Sequence, residues 1–181
     1  MTSDGGVRAG GASQADTPPP GSRSIEEILA AARSRLRRLD PEAAHLAARA
    51  GAVLVDIRPA AQRVASGSIP GALVVERNVL EWRFDPRSDS RLPIANRYDL
   101  PVVVFCQEGY TSSLAAAALL DLGLYRATDI IGGFVAWRCL GLPAFGPGDV
   151  YAQLIATPPA ITGRALTRPR ATGRGGSDHV P

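Results

Sequence analysis

The sequence predicts an α/β fold, an open and mainly parallel sheet with helices on both faces. Four short apolar runs, Ala52 to Asp56, Ala72 to Val75, Pro101 to Phe105 and Asp129 to Ile131, have the length and composition of buried parallel strands. Helical stretches at Pro59 to Ala65, Asn78 to Phe84 and Thr111 to Leu122 lie between them. Strands that alternate with helices in this way form a layered sheet through crossover connections.

The elements follow in order. Residues 1–23 are rich in Gly, Pro and Ser and have little apolar surface to bury, so they read as a disordered leader. Ser24 and Glu27 form a capping box, and Ile25, Ile28, Leu29, Ala32 and Leu36 recur at helical spacing, which predicts an N-terminal helix within 24–38. Arg33, Arg35, Arg37 and Arg38 crowd its end, where cations suit the helix dipole, and are expected to form a solvated face. Asp40 as N-cap, Pro41 at the first position and Gly51 past the end mark a second helix and open a domain over 39–146. Gly123 closes the Thr111 helix, and a last helix near Phe134 to Leu140 precedes Gly141. Residues 147–181 return to Pro, Gly, Thr and Arg and read as a flexible tail.

Composition narrows the chemistry. A chain of 181 residues that is 45% hydrophobic and 20% charged suits one soluble domain with tails. Between Ser24 and Gly146, 14 Arg nearly balance 13 Asp and Glu, so most of the net charge of +3 lies in the tail. No continuous basic face with interleaved aromatics is present, and a nucleic-acid partner is not expected. The chain has no Lys, which excludes a Schiff base or a Lys general base. Cys106, Cys139, His45 and His179 give neither metal-ligand spacing nor a disulfide framework, so no metal and no cofactor is predicted. Without a basic-then-apolar leader or a long apolar run, a cytoplasmic location and no membrane partner are expected.

The chemical signal is Cys106-Gln107-Glu108-Gly109-Tyr110-Thr111-Ser112-Ser113, directly after the strand ending at Phe105 and directly before a helix. In an open parallel sheet, ligands bind at such strand-to-helix turns. Backbone N–H groups at a helix start lack intrahelical acceptors and favour an anion, which there would be the sulfur of Cys106. Gly109 lets the loop adopt positive φ and approach a ligand. Thr111 and Ser112 place hydroxyls to cap the helix or to bond a bound sulfur. Cys139, in the last helix beside Leu140, reads as an inert core thiol.

The stretch from about Leu39 to Phe145 resembles a rhodanese domain. Val55-Asp56-Ile57-Arg58 is similar to the family's V-D-x-R, and Ser68-Ile69-Pro70-Gly71-Ala72 to its G-H-I-P-G-A, with Ser68 where His is usual. Cys106 through Ser112 fits C-x-x-G-x-[RT]-S, and Gly132-Gly133-Phe134-Val135-Ala136-Trp137 with Gly141-Leu142-Pro143 resembles the closing G-G-x-x-A-W and G-L-P. The resemblance implies a rhodanese-like fold and a sulfurtransferase in which Cys106 attacks a sulfane sulfur and holds it as a persulfide. The amides of Gln107, Glu108, Gly109, Tyr110 and Thr111 would cradle it, and Asp56 and Arg58 would pair to brace neighbouring loops. Implied partners are a small sulfur donor, thiosulfate or a persulfide, and a thiol, cyanide or protein acceptor. The alternative is a persulfide relay or protein-binding module with little small-molecule turnover.

Two departures bear on substrate. Thiosulfate-using members resemble one another in carrying a cation inside the loop, whereas here Gln107 is neutral and Glu108 acidic. Arg77, Arg83 and Arg97 are the candidates to supply that charge from another loop, and Arg77 is taken as a substrate contact. A phosphatase on the same fold needs Arg six positions after the Cys to clamp phosphate, and Ser112 stands there.

Overall fold

The computed structural model describes residues 17–147 and 149, so the expected leader (1–23) and tail (147–181) lie largely outside the described residues. Four strands, β1 (Val53–Asp56), β2 (Leu73–Val74), β3 (Val102–Phe105) and β4 (Ala127–Asp129), form one all-parallel sheet in the order β2-β1-β3-β4. Around it lie α1 (Ile25–Ser34), α2 (Pro41–Arg49), α3 (Ala60–Ser66), α4 (Leu80–Phe84), α5 (Thr111–Asp121) and α6 (Gly133–Cys139).

Side chains alternate across a strand, so one run of apolar residues serves two cores. Val55, Val102 and Val104 pack with Leu80 and Phe84 of α4 and Ala115 and Leu119 of α5. Leu54, Val103 and Phe105 pack on the opposite face with Ala44 of α2 and Phe134 and Trp137 of α6. Burying each such side chain contributes about 1.5–3 kcal/mol. Both faces of the sheet are therefore covered, as parallel sheets require.

Helix starts follow their sequence signals. Ser24 and Glu27 make both bonds of the capping box, and the Asp40 side chain accepts from the Ala43 N–H. Three expectations need correction. The last strand runs Ala127–Asp129, two residues earlier than the apolar run 129–131, because pairing with β3 starts at Ala127 opposite Val102. Small Ala127 and polar Thr128 hid its beginning. The segment from Asn78 opens as a 3₁₀ turn at Arg77–Val79 before α4. Helix α1 ends at Ser34, so Arg37 and Arg38 lie in the link to Leu39, which bridges to Ile130 beside the end of β4.

Candidate active site

The turn from β3 into α5 places Cys106 at the carboxyl edge of the sheet. Val102–Phe105 is buried along its length, and the chain must then bend sharply to enter a helix. Gly109 makes that bend with φ +78°, and a Cβ there would lie 2.7 Å from the Gly132 nitrogen. The closing Gly-Gly turn interlocks from the other side: at Gly133, φ +59°, a Cβ would sit 2.5 Å from the Cys106 carbonyl oxygen. Phe134 N–H donates to that carbonyl at 2.9 Å and Val135 N–H to the Gln107 carbonyl at 3.0 Å. Both carbonyls of the loop's first turn are thus held by amides of α6.

The Gly109 N–H donates to Cys106 Sγ at 3.2 Å, and Sγ lies 3.4 Å from Ser112 Oγ. The amides of Gln107, Glu108, Tyr110 and Thr111 donate to no protein acceptor among the described residues. Unpaired N–H groups at the start of a helix are donors in search of an anion. Cys106 is part-exposed and opens into a pocket of about 580 Å³, whose wall includes Arg58, Glu76, Arg77, Gln107, Glu108, Tyr110 and Thr111.

The expected pair is present in full. Arg58, 1% exposed, forks onto Asp56, also 1% exposed, with its Nη2 at 2.6 Å and its Nε at 2.9 Å. The same guanidinium donates to Gln107 Oε1 at 3.0 Å and to the Gly67 carbonyl at 2.9 Å, and it lies 3.9 Å from the centroid of the Phe134 ring. Arg77 lines the pocket, but both its hydrogen bonds go to Glu81, at 2.7 and 2.8 Å. Arg83 and Arg97 bond Ser90 and Asp99 instead and are absent from the pocket wall. No side chain among the described residues caps α5, so Thr111 and Ser112 do not cap the helix. Cys139 is exposed, which corrects its reading as a core thiol.

Behind the loop lies a cluster that sequence reasoning missed. Asp129, fully buried at the end of β4, accepts from Arg38 Nε at 2.7 Å, Arg38 Nη2 at 3.0 Å, Ser113 Oγ at 2.7 Å and Ser112 Oγ at 3.2 Å. Arg33 donates to Ser113 Oγ at 3.2 Å and to the Gly109 carbonyl at 2.9 Å. Arg33 and Arg38 are therefore not a solvated face. The available signal was one carboxylate inside a buried strand, which has to find a cation.

Residues 40–139 match the model of the rhodanese-like domain. A sulfurtransferase of Allochromatium vinosum is 36% identical over 95 residues, 52% of this chain and 79% of its own length. The thiosulfate sulfurtransferase GlpE of Stutzerimonas stutzeri is 35% identical, covering 56% of this chain and 84% of its own. Among solved structures, a Rhodopseudomonas palustris protein of unknown function, described as a possible tyrosine phosphatase, superposes with a TM-score of 0.64 at 35% identity, over 71% of this chain and 99% of that one.

Proposed function

The chain belongs to the rhodanese-like domain family, and from that premise we propose that it is a sulfurtransferase carrying sulfane sulfur as a persulfide on Cys106. The observation that carries this reading is the convergence of a part-exposed Cys106 Sγ, the Gly109 N–H bonded to it and further unpaired amides on one pocket. The Cys106 thiolate attacks the outer sulfur of the donor. The donor's S–S bond breaks, its inner sulfur leaves with the bonding pair (sulfite from thiosulfate, a thiolate from a persulfide), and Cys106 becomes Cys–S–S⁻. An acceptor thiolate then attacks the outer sulfur and restores the Cys106 thiolate, so no net oxidation occurs. Gly109 and its neighbouring amides stabilise the outer sulfur as charge moves onto it.

The pocket favours a thiol or persulfide-bearing substrate over a small inorganic dianion. Its volume of about 580 Å³ falls within the range that holds organic ligands. Its wall carries Glu76 and Glu108, while Arg58 and Arg77 are engaged by Asp56 and Glu81. Glu108 is exposed and is placed to meet a cation on a protein acceptor. A phosphatase reading lacks support at the loop: Ser112 stands where the phosphate-clamping Arg belongs and contacts the Asp129 carboxylate.

The test is intact-protein mass spectrometry after incubation with thiosulfate or with a low-molecular-weight persulfide, with and without reductant. The expected result is a gain of one sulfur that reductant removes and that maps to Cys106, larger with the persulfide. No gain with either donor overturns the reading.

A further inference from the structure

The segment matched to the family begins at residue 40, yet two side chains from before it reach the catalytic loop. We propose that the N-terminal arm, Ile25 to Leu39, is part of the active site: Arg33 and Arg38 act as positioning residues that clamp the Gly109 carbonyl and so aim the loop amides at the Cys106 sulfur. The inference rests on Cys106 being the reactive thiol.

The clamp follows from peptide geometry. Within one planar trans unit, the Gly109 C=O and the Tyr110 N–H point in opposite directions. Arg33 Nη2 at 2.9 Å and Arg38 Nη2 at 3.3 Å both donate to that carbonyl from the N-terminal arm. The Tyr110 N–H is thereby turned away from the arginines, and Tyr110 lines the same pocket as Cys106, whose Sγ accepts from the neighbouring Gly109 N–H. The Arg33 guanidinium also lies 5.4 Å from the centroid of the Tyr110 ring.

Two features fix the clamp itself. Leu39 bridges Ile130, with its N–H donating to the Asp129 carbonyl at 3.0 Å and its C=O accepting from Ile131 N–H at 2.8 Å. That pairing sets Arg38 beside β4, where Asp129 takes it in a two-point fork. Asp129 also accepts the hydroxyls of Ser112 and Ser113, so the first turn of α5 and the N-terminal arm share one buried carboxylate. Because Ser112 gives its hydrogen to Asp129, the oxygen that faces Cys106 Sγ at 3.4 Å is free to accept from the thiol.

The test compares the wild type with Arg33→Met and Arg33→Lys in the full chain, following the rate of Cys106 alkylation by iodoacetamide from pH 6 to 9. Arg33 is half-buried and pairs with no carboxylate among the described residues, so its loss strands no charge among them. Arg33→Met is expected to slow alkylation at pH 7 by roughly threefold to tenfold. Arg33→Lys should fail to restore it, because an ammonium keeps the charge but cannot fork onto Ser113 and Gly109 together. A Lys variant equal to the wild type reduces Arg33 to a distant charge and overturns the clamp, as does a Met variant with an unchanged profile. A second measurement needs no variant at Arg33: in ¹⁵N-labelled wild type, alkylating Cys106 should move the Nε signals of Arg33 and Arg38, and unmoved signals overturn the clamp. Alkylation requires no sulfur transfer. Slowed alkylation in a protein that takes up no sulfur would therefore sink the proposed activity and leave the clamp standing.

Discussion

Arg58 Nη1 donates to Gln107 Oε1 at 3.0 Å, so the residue after Cys106 is held by a guanidinium that is itself buried against Asp56. Arg58→Met strands the Asp56 carboxylate without its partner and is expected to cost about 3–5 kcal/mol in urea unfolding. Replacing both residues, with Asp56→Leu and Arg58→Met, should recover much of that stability. Sulfur transfer should remain impaired, because Gln107 has still lost its anchor. A double variant with full activity would show that the pair serves the fold alone.

Two glycines with similar backbone angles should answer differently to alanine. Gly71 has φ +77° with no atom of the described residues within 4 Å of a built Cβ, whereas at Gly133 a Cβ would lie 2.5 Å from the Cys106 carbonyl oxygen. Gly71→Ala should cost only the left-handed penalty of about 1–2 kcal/mol. Gly133→Ala adds a backbone collision and should cost more, with the displaced Cys106 peptide lowering the alkylation rate. Equal losses of stability in the two variants would mean that the loop yields freely at Gly133.

The alternation of apolar runs with capped helices made the sheet, both layers and the Cys106 turn legible in the sequence, because each rests on local signals: periodicity, caps and Gly. What stayed hidden depends on contacts between distant residues. Four arginines at a helix end look alike in sequence, but only Arg33 and Arg38 reach the loop; Arg35 meets Asp121 at the surface. In the sequence Asp129 reads as the first residue of an apolar strand, although it is the last of β4 and the anchor of Arg38. Its role exists only once Leu39 is paired beside it.

Cys106→Ser should abolish sulfur uptake with little change in unfolding midpoint, since a hydroxyl is nearly isosteric but cannot form a persulfide. Cys139→Ser should leave uptake intact, because Cys139 is exposed on α6. Mass spectrometry of the two variants beside the wild type checks both. Uptake that persists in Cys106→Ser, or vanishes in Cys139→Ser, would falsify the assignment of the nucleophile.

At the surface between α1 and α5, the Arg35 guanidinium hydrogen-bonds Asp121 and holds its carboxyl below the ordinary value. A carboxyl lowered in the folded state stabilises above its unfolded pKa, about 3.9, and that contribution is lost as pH falls through the lower folded value. Both groups are largely exposed, so the effect is small and screened by salt. Melting curves of the wild type and Asp121→Asn should differ slightly at pH 7 and converge in acid and in high salt. A large gap at pH 7 that survives high salt would mean that this pair docks the arm far more firmly than a surface contact does.

Glu108 sets the substrate prediction, because it lines the same pocket as Cys106 and is exposed. Its negative charge opposes the approach of a dianion, and the nearest pocket cations are already engaged by Asp56 and Glu81. A unit charge a few ångströms away in a solvated site is worth about 1 kcal/mol, or roughly fivefold in rate. Glu108→Gln should therefore raise kcat/KM for thiosulfate by about that factor, and Glu108→Arg should raise it by a similar factor again. Salt should shrink both gains, since the loop is open to solvent. A donor that carries less charge, such as a mono-anionic persulfide, should respond less. The measurement is kcat/KM for both donors in the three proteins at two ionic strengths. Identical thiosulfate values would mean that the carboxylate turns away from the sulfur, and the preference for an organic persulfide would then rest on pocket volume alone. Equal gains for both donors would point instead to a general effect on Cys106 reactivity, with no role for Glu108 in choosing the donor.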